Sequence, residues 1–141
     1  MTTAIATPEA FLDPDEPIGE HICQNGVTPG KLKLQQFVKA CMLRGVPPLY
    51  STEDIPQDQK IAYVKLFDPC GSWTWYITEY SRKAPDGYPH MAFGLVVGDE
   101  IELSYIALEE LSEVKGAMGI GIEIDCWWKP TRLCEIKDTR D

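Results

Sequence analysis

The run MAFGLVVGDEIELSYI (91–106) constrains the fold most. Two segments rich in β-branched and aromatic residues flank Gly98-Asp99, and a leading glycine suits a type II′ hairpin turn. A two-residue turn pairs Val97 with Glu100, Val96 with Ile101, Leu95 with Glu102 and Gly94 with Leu103. One face then carries Ala92, Gly94, Val96, Ile101, Leu103 and Tyr105, small enough near glycine to admit a helix. The other carries Phe93, Leu95, Val97 and Glu102. Segment 91–97 is apolar on both faces, which points to a central strand with further strands beside it.

Those strands lie upstream. IAYVKLF (61–67) and WTWYITEY (73–80) have the same composition and are separated by the turn 68–72, while 81–90 forms a longer loop before the central strand. A five-residue turn pairs Phe67 with Trp73, Lys65 with Trp75 and Tyr63 with Ile77. This predicts that both indoles share a face with Lys65, with a cation–π contact between Lys65 and Trp75. That face is either packed under a helix, with Lys65 snorkelling out, or left open to a partner.

The covering helix is TPGKLKLQQFVKACMLRG. Thr28 can cap it and Pro29 suits its first turn. Leu34, Phe37, Val38, Cys41 and Met42 form one stripe, and Gly45 with Pro47-Pro48 ends it. A second, shorter helix over 107–116 points Leu108, Leu111 and Val114 inward. Another strand is expected near 120–126, with a short apolar segment near Leu133. The fold expected is α+β: a mainly antiparallel sheet of about five strands covered by one long and one short helix. Residues 1–27 read as a flexible acidic, Pro-containing arm, and 28–141 as a single domain.

With 141 residues, 44% hydrophobic and 25% charged, the chain suits one globular domain. Thirteen basic against 22 acidic side chains give a formal charge of −9, which disfavours nucleic acid and anionic membranes as partners. No apolar run is long enough to span a bilayer and no leader-like pattern opens the chain, so a cytoplasmic setting is expected. Cys23, Cys41, Cys70, Cys126 and Cys134 lack metal-site spacing. Free thiols in a reducing compartment are the expectation, and no cofactor is expected. The His21/Cys23 pair is weak as a metal motif beside the reading of an unstructured arm.

A small metal-dependent hydrolase or nuclease would need converging carboxylates. Glu79, Glu102, Glu123 and Asp125 lie on or near expected strands, and Glu123-x-Asp125 with Lys129 is the nearest approach to such a site. Alternating acids are more often the wet face of a strand. There is no phosphate-binding glycine loop and no nucleophile elbow.

The segments LYSTEDIPQDQKIAYVKLFDPCGSWTWYITEY, FGLVVGDEIELSYIALEELSEVKGAMGIGIEID and KPTRLCEI together resemble the domain of unknown function 2958 family, over about 46–136. The resemblance implies a protein of plasmids, integrative elements or phages. It carries no catalytic residue. Ala107 stands where the family tends to have a capping serine, and Ile124 where it tends to have arginine. The reading is a non-enzymatic accessory or protein-interaction module of a bacterial mobile element, which would fit a role in countering host defence. Its candidate surface is Tyr63, Lys65, Trp73, Trp75, Trp127 and Trp128, and its expected partner is a protein. The alternative is the metal-dependent hydrolase using the four carboxylates.

Overall fold

The structure is a computed structural model and describes residues 14–18, 30–115 and 120–136. Its centre is a five-stranded antiparallel sheet in the order β5-β4-β3-β2-β6. The strands are β2 (Val64–Phe67), β3 (Thr74–Lys83), β4 (Pro89–Val97), β5 (Ile101–Ala107) and β6 (Glu123–Ile124). Two short strands, β1 (Ile61–Ala62) and β7 (Thr131–Arg132), pair separately. The helices are α1 (Gly30–Leu43) and α2 (Leu108–Glu113). The α+β class, the five-stranded antiparallel sheet with β4 inside it and the one long and one short helix are those expected, whereas the expected strand 61–67 is split at Tyr63 between the two sheets.

Helix α1 ends where glycine allows. Gly45 has φ 64°, the Val46 N–H reaches the Cys41 carbonyl at 3.0 Å, and the Gly45 N–H reaches that of Met42 at 3.1 Å. This is a Schellman closure. Its buried face is Phe37, Ala40 and Cys41, with Leu34 and Val38 packed alongside. Met42 departs from the expected stripe and is 50% exposed, because the stripe runs through 37, 40, 41 and 44. The capping residues Thr28 and Pro29 and the His21/Cys23 pair lie outside the described residues. Within the 1–27 arm, 14–18 are described: Ile18 is buried in the helix-side core, and the Glu16 carbonyl accepts from Arg44 at 2.7 Å.

Both hairpin registers differ from expectation by one residue. Val97 pairs with Ile101 and Leu95 with Leu103, because the connection is Gly98-Asp99-Glu100 rather than two residues. Likewise Leu66 pairs with Trp75 and Lys65 with Tyr76, since the Asp68 N–H bonds the Trp73 carbonyl at 3.0 Å and sets Asp68, not Phe67, opposite Trp73. A one-residue slip exchanges the faces. Lys65 and Trp75 therefore lie on opposite sides of the sheet, and so do Val96 and Ile101. The expected 81–90 loop is shorter, because β3 and β4 continue to a Lys83–Pro89 pair.

The sheet has two apolar faces. The helix side packs Val64, Leu66, Ile77, Tyr80, Ala92 and Ile106 against Phe37, Ala40, Cys41, Leu108 and Leu111. Val114, expected inward from α2, is 41% exposed because the helix stops at Glu113. The other side packs Tyr76, Leu95 and Val97 against Ala62, Leu133 and Ile136, with Trp128 and Leu103 alongside. An irregularity between Ile77 and Glu79 keeps both arrangements possible on one strand. Thr78 sits in that bulge, its hydroxyl donating to the Phe93 carbonyl at 3.0 Å, so Ile77 and Tyr80 both face the helices.

Cys41, Cys70 and Cys134 are free, whereas Cys126 is disulfide-bonded. This corrects the expectation of free thiols throughout, since spacing along the chain carries no information about distant thiols that the fold brings together.

Candidate functional site

Lys65 projects from β2 onto the face opposite the helices. Its ammonium lies 5.4 Å from the Trp128 ring centroid, 5.8 Å from that of Tyr76, and 3.6 Å from Asp125 Oδ2. Tyr76 and Trp128 are themselves in contact, with centroids 5.3 Å apart. The cation–π contact expected for Lys65 thus exists, but with different aromatic partners, for the reason given by the register.

Asp125 builds the adjoining turn. Its Oδ1 accepts from the Trp127 N–H at 3.0 Å, and its carbonyl from the Trp128 N–H at 3.2 Å. This Asx-type closure holds the two tryptophans in divergent directions. Trp128 turns inward, donating from Nε1 to the Ala62 carbonyl at 2.9 Å, and its own carbonyl accepts from Arg44 at 3.2 Å. Trp127 turns outward and is 76% exposed. Beside it lies a pocket of about 360 Å³ lined by Lys65, Phe67, Ile124, Asp125, Cys126 and Trp127. Such a combination can seat an apolar or aromatic group while the Lys65–Asp125 pair orients polar atoms nearby.

The other candidate residues lie elsewhere. Trp73 stacks on Trp75, centroids 6.1 Å apart, and covers Gly98, where a Cβ would meet the Trp73 ring at about 2.4 Å. Trp75 packs against the helix-side core, as does Tyr63, whose hydroxyl pKa burial pushes up. The structure therefore joins Lys65, Trp127 and Trp128 and separates them from Trp73, Trp75 and Tyr63.

The four carboxylates do not converge. Glu79 is buried and accepts from the Tyr50 N–H at 2.8 Å, the Thr52 N–H at 3.1 Å and the Thr52 hydroxyl. Lys60, also buried, donates to the Thr52 carbonyl at 2.6 Å. Glu79 thus pins loop 49–52 across the sheet. Glu123 pairs with Lys33 at 3.4 Å, Asp125 with Lys65, and Glu102 is exposed on the edge strand. Among the described residues no group of three His, Cys, Asp or Glu side chains could hold a metal. Cys41 is buried in the last turn of α1, and desolvation pushes its thiol far up, away from nucleophilic use.

One surface was missed from the sequence. Tyr105 on β5 is 52% exposed, shares a hydrogen bond of 2.8 Å with the Tyr50 hydroxyl and packs edge-on to Phe93. That hydrogen bond pushes the Tyr50 pKa up. Ile101 on the same strand face borders a cleft of about 410 Å³ with Leu95 and Leu133. The two-residue turn assigned these β5 residues to the helix side. Reading Gly98-Asp99-Glu100 as a three-residue loop was the signal that would have placed them here.

The family model described as a protein of unknown function (DUF2958) matches residues 49–136, more than half of the chain. The chain belongs to the DUF2958 family. No curated protein and no solved structure matches it. The match begins at the loop that Glu79 pins and ends at Ile136, so it contains the whole sheet and the Lys65–Trp127 pocket while leaving α1 outside.

Proposed function

We propose that this DUF2958 protein is a non-enzymatic interaction module that captures a protein partner at the pocket beside Trp127. The observation that carries this reading is a 76% exposed indole at the end of a fixed turn, next to a pocket and a Lys–Asp pair. A large aromatic held in water by specific backbone bonds is the anchor type that dominates protein interfaces. The net charge of −9 favours a partner with a basic surface. The resemblance to proteins of plasmids, integrative elements and phages supplies the setting: an accessory factor of a mobile element, with a host defence protein as the target class. The carboxylate alternative draws no support from four side chains that are mutually dispersed, three of them engaged with other partners and Glu102 exposed on the edge strand.

The test is proximity cross-linking in a bacterial host, followed by titration of the recovered partner. Trp127→Ala is expected to weaken binding by 10-fold or more with an unchanged melting temperature, while Trp73→Ala leaves affinity intact. Equal affinity for wild type and Trp127→Ala would reject the pocket as the binding site.

A further inference from the structure

Strand β5 ends the sheet, and its outer side offers a regular set of hydrogen-bonding groups. The Gly98 N–H donates to the Glu100 carbonyl at 3.0 Å, which makes Val97–Ile101 a non-hydrogen-bonded pair. Antiparallel alternation then directs the backbone of Glu102, Ser104 and Ile106 toward β4, and that of Ile101, Leu103 and Tyr105 outward. Among the described residues no other segment bonds these outward groups; the Tyr105 carbonyl receives only a 3.4 Å contact from its neighbour's Ser104 hydroxyl.

Exposed edges are normally blunted by proline, lysine, a bulge or shortness. Segment 101–107, IELSYIA, has no proline or lysine and a single charge, Glu102, and its pairing with β4 has no register shift. The opposite edge, β6, has only two residues. Ile101 and Tyr105, 42% and 52% exposed, lie with Leu103 on one face of β5, so apolar side chains repeat at every second position beside the open backbone.

We propose that a second copy of this chain adds antiparallel to β5, joining two sheets into one. The strand is complementary to itself. A two-fold axis through Leu103 sets Ile101 opposite Tyr105 of the second copy and Glu102 opposite Ser104. An axis through Ser104 sets Leu103 opposite Tyr105 and Glu102 opposite Ile106. Both match outward backbone groups to outward backbone groups and keep the strand's acid away from its own image. An axis through Glu102 opposes like charges and is rejected. A basic strand would answer Glu102 by charge. The alternating apolar row instead asks for apolar residues at every second position, which β5 itself supplies. This edge lies across the sheet from the Trp127 pocket, so the two proposals stand or fall separately.

Sedimentation velocity of the full chain from about 5 to about 500 µM should show a concentration-dependent dimer, an affinity range suited to a single-strand edge. Amide exchange should show Leu103 and Tyr105 gaining protection with concentration, while Ser104 and Ile106 are protected throughout. Added salt should strengthen association, because each copy carries −9. Ile101→Lys should be monomeric with the same melting temperature. A wild type that stays monomeric, a dimer whose Leu103 and Tyr105 amides still exchange freely, or a dimer equally strong in Ile101→Lys would overturn the proposal. Weakening by salt would instead indicate association through opposite charges and would also overturn it.

Discussion

On the helix side of the sheet, Phe37, Ala40 and Cys41 lie over Leu66, Ile77 and Ala92, all essentially inaccessible to solvent. On the other side, Tyr76 and Leu95 are covered by short irregular pieces: β1, the 125–128 turn and the segment around Leu133 and Ile136. The first cover is held by apolar area contributed by a periodic helix. The second is held at particular polar points, among them Trp128 Nε1 on the Ala62 carbonyl, the Leu133 N–H on the Lys60 carbonyl at 2.9 Å, and Glu79 on loop 49–52. A face closed by area loses stability in proportion to volume removed. A face closed by single bonds should open locally when one bond is deleted.

Phe37→Ala is expected to have the largest effect, about 3–5 kcal/mol, from lost transfer energy and a cavity between α1 and the sheet. Chemical denaturation should show a reduced midpoint and one cooperative transition. Glu79→Ala is expected to cost about 2–3 kcal/mol, by stranding the Tyr50 and Thr52 amides and leaving buried Lys60 beside an incomplete network. Its signature should be local: fast exchange at Tyr50 and Thr52 well below the global unfolding transition. Exchange at those amides that changes only with global unfolding would show that loop 49–52 is held by packing.

How much of this was legible in the sequence follows the same division. Stripes at helical spacing announced α1 and the face it covers, because burial by a helix is a repeated signal. The strands were legible from β-branched and aromatic content. Register was not, because a single residue in each turn decides it: Glu100 joins the second loop, and Trp73 closes the first. Those two residues carried the site with them. Lys65, expected beside Trp75, meets Trp128, and Tyr105, expected on the helix side, lies on the opposite face. Trp128 and Glu79 were visible as residue types, but their partners, Ala62 and loop 49–52, are remote in sequence and no local pattern names them. Asp125 was read as a candidate metal ligand because an acid in a strand pattern looks the same whether it binds an ion or closes a turn.

The helix side also contains a titrating group. Burial raises the Tyr80 hydroxyl from its ordinary 10.0 to about 12. The neutral phenol is therefore favoured in the folded state, and its contribution is complete below pH 10. It is lost as pH rises from about 10 to about 12, on the order of 2 kcal/mol. Denaturation midpoints across that window should fall less steeply in Tyr80→Phe. On the other side, Trp128→Phe keeps most of the apolar area and removes one donor, so about 1 kcal/mol is expected, with faster exchange confined to the 125–132 segment.

The smallest effect on stability is expected at Lys65. Its pair with Asp125 is 3.6 Å long, with side chains 20% and 27% exposed, and its two aromatic contacts are beyond 5 Å. Partly solvated pairs and cation–π contacts of this kind contribute under about 1 kcal/mol each. In a double-mutant cycle of Lys65→Met with Asp125→Asn, the coupling in stability should therefore fall below about 1 kcal/mol, since asparagine keeps the oxygen that accepts from Trp127. The coupling in partner affinity should exceed it, because the pair lines the pocket and loses water when a ligand seats there. A coupling larger in stability than in affinity would reverse the assignment and make Lys65 another of the polar points that close this face of the sheet.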